Sequence, residues 1–250
     1  MGKKINRVGE ESINNFGSKM IIKEYRNATD IDVYFPEYNW IAKNKQYNNF
    51  KNGCVKCPYE RRSYGIGYLG EGKYKVRENG KKTKCYKEWI QMLQRCYDPK
   101  TQERQPTYKG CLVCEEWHNF QNFAEWFYKH YYEVPNQRME LDKDILFKGN
   151  KIYSPDNCSF VPKDINNLFV KCEKRRGDLP IGVTYHKRDN VYEAWCAKIY
   201  IGRYNTIDSA FQSYKHYKEN LIKKLADKFH KYLPKSTYDA LYNYEVEIDD

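Results

Sequence analysis

The chain has 250 residues, with Lys+Arg 44 against Asp+Glu 33, a net charge of +11 and a pI near 9.0. That length suits two or three small domains, and the charge predicts attraction to polyanions. No apolar run approaches the roughly eighteen residues of a membrane span, and the N-terminal MGKKINRVGEES has no apolar core for a signal peptide. A cytoplasmic protein with no membrane partner is therefore expected. Twenty-five tyrosines give a polar, aromatic surface that can stack on bases or pack against a protein, and composition does not choose between them.

The elements in chain order predict an α+β fold in three parts, 1–82, 83–175 and 176–250. Residues 1–82 hold 17 basic and 9 acidic residues, so most of the excess charge is N-terminal. Within them, Lys19–Tyr25 and Asp30–Phe35 read as strands around the turn Arg26–Thr29, with a third strand from Trp40. Asp32 between Ile31 and Val33 suggests a half-exposed strand. Strands this short predict a small barrel-like unit closed against the rest. Residues 61–84 combine Gly65, Gly67, Gly70, Gly72 and Gly80 with Arg61, Arg62, Lys81, Lys82 and Lys84. They read as a hairpin-bearing connector, with phosphate contact as a second role.

Two Cys-x-x-Cys pairs, Cys54 with Cys57 and Cys111 with Cys114, could close a tetrahedral zinc site. Against zinc, Leu112 and Val113 look like a buried strand, and Pro58 follows the first pair where a knuckle often has Gly. The balance is against it. Tyr86 to Tyr97 is helical by spacing, with Trp89, Met92, Leu93 and Cys96 on one face and Asp98-Pro99 as its end. A long helix is expected from Glu115 to Tyr132, with Trp117, Phe120, Ala124, Phe127 and Tyr131 buried. His118 and His130 read as surface residues.

The stretch Met139–Phe169 shows two apolar runs, Leu141–Phe147 and Lys151–Tyr153, around the turn Lys148-Gly149-Asn150. A polar corner at Ser154–Asn157 and a helix start at Ile165 follow. In Leu141-Asp142-Lys143-Asp144, Asn150, Tyr153–Cys158 and Ile165-Asn166-Asn167 it resembles the phage-borne HNH endonuclease group. Shorter matches upstream at Tyr86–Trp89, Met92–Tyr97 and Cys114–Trp117 extend the likeness over about ninety residues.

The resemblance implies a metal-dependent phosphodiesterase with Mg²⁺ or Mn²⁺, a general-base His and a hairpin Asn that orients it. Asp142, Lys143, Asn150 and Asn166 then occupy the catalytic positions, and Asp142 and Asn166 the metal positions. Asp144 and Asp156 are further oxygen donors. The departure is Lys143, which stands where the family's base His would follow the aspartate. A protonated lysine cannot accept a proton. His118, His130, His186, His216 and His230 all lie outside the stretch.

A basic linker, with Lys174, Arg175 and Arg176, leads past Gly177–Pro180 to three strand-like runs and a helix. Gly182-Val183, Trp195 with Ala197, Gly202-Arg203-Tyr204 and Ala210 resemble the Apetala2-like DNA-binding domain, which implies a three-stranded sheet facing the major groove. Alternation then offers Tyr185 and Lys187 on one face, with Trp195, Lys198 and Arg203 nearby. Trp195 and Tyr204 packed beneath the helix is the competing placement. Ala210, Tyr214, Tyr217, Leu221 and Leu225 form the apolar stripe of that helix, with Lys218 off it, and the acidic C-terminal residues read as a mobile tail. Three functions are open: a DNA endonuclease of the homing type, a double-stranded-DNA-binding protein whose HNH-like module is a scaffold, and a protein-binding factor that blocks a host defence protein.

Overall fold

The computed structural model describes residues 6–169 and 178–248 and shows an α+β chain. It divides into two compact units, Met1–Thr101 with Val113–Trp126, and Gln102–Leu112 with Phe127–Asp250. No helix among the described residues is long and apolar enough to cross a membrane.

The first unit opens with β1 (Glu11–Ile13), β2 (Lys19–Asn27), β3 (Asp30–Phe35) and β4 (Trp40–Lys45) in an antiparallel meander of order β1-β2-β3-β4. Its outer strands do not pair with each other, so the barrel-like unit expected is an open four-stranded sheet. Met20, Ile22, Ile31, Val33, Phe35 and Ala42 alternate onto one face and pack with Phe50, Val55 and Cys57. Phe50 belongs to the one-turn helix α1 (Tyr47–Lys51). Asp32 is buried, not half-exposed. It is affordable there because Arg26 Nη2 donates to it at 2.7 Å and the Asn44 amide at 2.9 Å, meeting the demand of a buried carboxylate.

The connector passes through a two-stranded ribbon, β5 (Arg77–Glu78) and β6 (Lys81–Lys82), into α2 (Lys84–Tyr97). Thr83 caps α2 by accepting from the Tyr86 amide, and Trp89, Met92, Leu93 and Cys96 are buried as the spacing predicts. Asp98 ends α2 and caps the next turn by accepting from Thr101, at the start of α3 (Pro99–Arg104). After β7 (Leu112–Val113) the single long helix expected over 115–132 is broken. A 3-10 turn, Glu115–His118, precedes α4 (Phe120–His130). Tyr68 causes the break. Its amide donates to the His118 carbonyl at 2.8 Å and its carbonyl accepts from the Phe120 amide at 2.9 Å, which takes both groups out of a helical ladder.

In the second unit β8 (Met139–Asp142) pairs with β10 (Ser159–Pro162), Leu141 opposite Phe160, while β9 (Ile152–Tyr153) lies beside Leu112, whose amide donates to the Lys151 carbonyl. The expected hairpin of Leu141–Phe147 with Lys151–Tyr153 is thus not formed. The first strand stops at Asp142, whose carboxylate takes the next amides, and Phe147 is exposed. A short helix, α5 (Lys163–Asn166), follows.

The C-terminal part has β11 (Val183–His186), β12 (Val191–Cys196) and β13 (Ile199–Tyr204) in order β11-β12-β13, backed by α6 (Ile207–Phe229). The β12–β13 turn is two residues, Ala197-Lys198, both at positive φ, which fits the right-handed twist of a tight hairpin. Lys218 on α6 is buried beside Tyr214, not on a solvated face. α7 (Lys235–Tyr242) buries Thr237, whose hydroxyl bonds Ser159 Oγ at 2.7 Å. The acidic end is held as well as charged: Val246 is fully buried, and Lys148 Nζ lies 2.9 Å from the Glu245 carbonyl and 2.9 Å from Glu247.

Gly67 shows how closely the connector packs. A Cβ there would lie 2.5 Å from Leu93 Cδ1 and 2.8 Å from Trp89 Cζ2, both buried side chains of α2. Gly67→Ala is expected to cost about 1–3 kcal/mol through overpacking, read as a lower urea midpoint with an unchanged slope.

Candidate functional site

The turn after β8 is built on four side chains, those of Asp142, Lys143, Asp144 and Asn150. Asp142 is buried, and its Oδ1 accepts from the Asp144 amide at 2.9 Å and the Ile145 amide at 2.8 Å. These bonds turn the chain away from the sheet. Burial, with Asp144 nearby, pushes the Asp142 carboxyl up to about 7 despite the two amides.

Lys143 is buried too. Its Nζ lies 3.1 Å from Asp144 Oδ2 and 2.9 Å from the Asn150 carbonyl. Burial pulls the ammonium down, but Asp144 outweighs it and the net shift is upward. Lys143 is therefore a charged ammonium at neutral pH, with its hydrogens directed at oxygens. It has no lone pair with which to take a proton from water.

Asn150 closes the loop. Its Nδ2 donates to the Lys143 carbonyl at 2.6 Å and the Ile152 carbonyl at 2.8 Å, while its Oδ1 accepts from the Ile152 amide and Asn157 Nδ2. The carboxamide serves the backbone on both sides of the turn, and Gly149 at φ 78° allows the reversal. Asp142, Lys143, Asp144 and Asn150 are thus brought together. Asn166 lies on α5 and Asp156 in the corner before β10, with no bond recorded to the other four. Among the described residues no three His, Cys, Asp or Glu side chains group around a common point for a metal. His118 belongs to the first unit, and its Nε2 lies 3.1 Å from the Val113 carbonyl.

The second candidate surface is the sheet β11–β13. Val183, Ala194, Cys196, Ile201 and Tyr204 face α6. Trp195 is therefore not beneath the helix: it is 38% exposed on the opposite face, edge-on to Tyr200 with ring centroids 5.0 Å apart. Tyr204 does pack on the helix side. Arg203 shares the outer face, with its Nε 2.9 Å from Glu193 and its Nη1 2.8 Å from Asp189. Tyr185 differs from the alternation expected. It stands opposite Tyr192, on the side that packs toward α6, and not beside Trp195 and Arg203. Lys187 and Lys198 lie in the turns that flank β12. Lys174, Arg175 and Arg176 lie outside the described residues.

Of the four cysteines considered for zinc, Cys54 is exposed, and burial pushes the Cys57 thiol up to about 11 and raises Cys111 and Cys114. Asp144 reads from sequence as an oxygen donor for a metal, and the structure makes it instead the partner of Lys143. The spacing Asp-Lys-Asp was the visible hint. No family model, curated protein or solved structure matches this chain.

Two outcomes test the loop. Asn150→Ala removes both donors and the acceptor of the turn and is expected to cost about 1–3 kcal/mol, measured by urea denaturation. The folded-state value of Asp142 is raised above its ordinary one, so its contribution is full below about pH 4 and is lost as pH rises through about 7. Asp142→Asn cannot ionise, so the wild type should lose stability relative to this variant between pH 4 and pH 8, in denaturation curves taken at both ends.

Proposed function

We propose that the chain is a phage-type, double-stranded-DNA-binding protein related to HNH homing endonucleases, in which the β-β-α module is a scaffold and the C-terminal sheet reads the site. The carrying observation is the outer face of that sheet, where Trp195, Tyr200 and Arg203 stand exposed on a layer braced by α6. A rigid sheet bearing aromatic and guanidinium groups suits base edges and phosphate. The net charge of +11 favours a polyanionic partner.

The state of Lys143 supports loss of hydrolysis. A divalent ion at Asp142 would meet a carboxyl whose Oδ1 already serves two amides, and an ammonium next to it in the chain. The donor set does not fit Mg²⁺ or Mn²⁺, and no step is derived through a metal. One observation favours a second reading, a factor that binds and blocks a host protein: Glu193 and Asp189 already neutralise Arg203, while Trp195 and Tyr200 form an exposed aromatic pair of the kind that anchors protein partners.

A mobility-shift titration on duplex DNA with a nicking assay on supercoiled DNA separates these. Expected are salt-sensitive binding, no nicking with Mg²⁺ or Mn²⁺, and gain of cleavage in Lys143→His if Asp142 and Asn166 can then ligate a metal. Trp195→Ala/Tyr200→Ala should abolish site preference, with an unchanged melting temperature showing that the fold is kept. Robust cleavage by the wild type that survives Lys143→Ala would overturn the scaffold role, and absence of duplex binding would favour the protein partner.

A further inference from the structure

We infer that the ribbon β5–β6 in the first unit is a second duplex-DNA contact, separate from the sheet β11–β13, and that it supplies much of the electrostatic attraction. This rests on the nucleic-acid reading above only in naming the partner. The stretch from Lys73 to Lys87 holds seven basic residues against one acidic, +6 of the chain's +11.

The ribbon is built to hold these charges out. Asn79 and Gly80 form its two-residue turn, both at positive φ (48° and 75°), and Arg77 Nη1 donates to the Gly80 carbonyl at 2.9 Å. Its base is fixed by Thr83, which is buried. The Thr83 amide donates to the Val76 carbonyl at 3.1 Å and its hydroxyl to the Lys75 carbonyl at 3.2 Å, while the same hydroxyl caps α2. A two-residue ribbon this short is not stable alone. The capped helix makes it rigid.

The placement of charge opposes folding. Arg77 stands directly opposite Lys82, and like charges in that position destabilise a strand pair. Among the described residues Lys75, Arg77, Lys81, Lys82 and Lys87 have no acidic side chain within ion-pairing distance, although Glu78 is opposite Lys81. Lys82 rests over the Tyr86 ring at 5.8 Å and Arg77 donates to the Gly80 carbonyl, but neither contact brings a negative charge, and a local rule broken in this way marks a candidate functional site. A polyanion supplies the compensation.

The chemistry favours a duplex over other polyanions. A two-stranded ribbon fits the major groove, and a row of cations matches a backbone with one charge per about 1.7 Å of axis. The tip Glu78-Asn79-Gly80 is exposed and has no apolar side chain to enter a bilayer, and the ribbon has no buried aromatic anchor of the kind protein partners use.

The test is a fluorescence-anisotropy titration of a 20-base-pair duplex over a range of salt, on the full chain, with phosphatidylserine vesicles run in parallel. Arg77→Gln/Lys81→Gln/Lys82→Gln is compared with Lys187→Gln/Arg188→Gln/Lys198→Gln at the C-terminal sheet. If the three ribbon cations meet phosphates, the slope of log K against log salt becomes shallower by roughly 2.7 in the ribbon variant. Lys82→Glu, which can pair with Arg77, should keep or raise the melting temperature and still weaken binding, so loss of binding is not loss of fold. An unchanged slope in the ribbon variant beside a reduced one in the sheet variant overturns this inference alone. A reduced slope in the ribbon variant beside an unchanged one in the sheet variant overturns the sheet as reader and leaves the ribbon standing. Ribbon-dependent binding to vesicles without binding to the duplex overturns the partner.

Discussion

A lysine taken out of water must be neutral or be given oxygens, and the turn after β8 is arranged to give them. Asp144 and the Asn150 carbonyl meet the Lys143 ammonium, Asn150 holds the Lys143 carbonyl from the other side, and Asp142 fixes the intervening amides. Each group is the partner of another, so removing one leaves a buried polar atom unpaired, which costs more than the bond itself contributes. The same closure limits the chemistry. An ammonium held by two oxygens, with its pKa raised, cannot act as a base, and burial, which raises the Asp142 carboxyl, works against its binding a hard cation.

The two β surfaces are built on opposite electrostatic terms. On the C-terminal sheet Arg203 is neutralised by Glu193 and Asp189, which leaves aromatic rings as the exposed feature. Such a face gains contact area and shape, and little from long-range attraction. On the ribbon Arg77 faces Lys82 with no internal counter-charge, which gives attraction at a distance and little shape. A weakly selective electrostatic contact and a stereospecific one serve different stages of association: the first raises the encounter rate and the second fixes register. Their separation onto different compact units follows from sequence, since Lys73–Lys87 and Val183–Tyr204 belong to different ones.

Periodicity was enough for the face of α2, with Trp89, Met92, Leu93 and Cys96 buried, for strands β2, β3 and β4 of its unit, though not β1, and for the presence of the helix that backs the C-terminal sheet. These are set by residues close in the chain, so local spacing carries them. Lys143 itself stood out as a cation set between two aspartates, Asp142 and Asp144. Pairing was not legible: β8 takes Phe160 and not Ile152 as its neighbour region, and Tyr68 breaks the helix at Asn119, because both depend on segments tens of residues away. The buried state of Asp32, Lys218 and Thr237 was hidden for the same reason, since a polar side chain is admitted to the interior only by partners that sequence order does not reveal. The sequence by itself determined composition, charge, the buried face of α2 and the presence of α6, though not its full buried face, which takes in Lys218 and Ile222. Only the tertiary structure decided which strands pair, which polar groups are satisfied and whether Trp195 faces the helix or the solvent, because those depend on contacts at long range that no local pattern encodes.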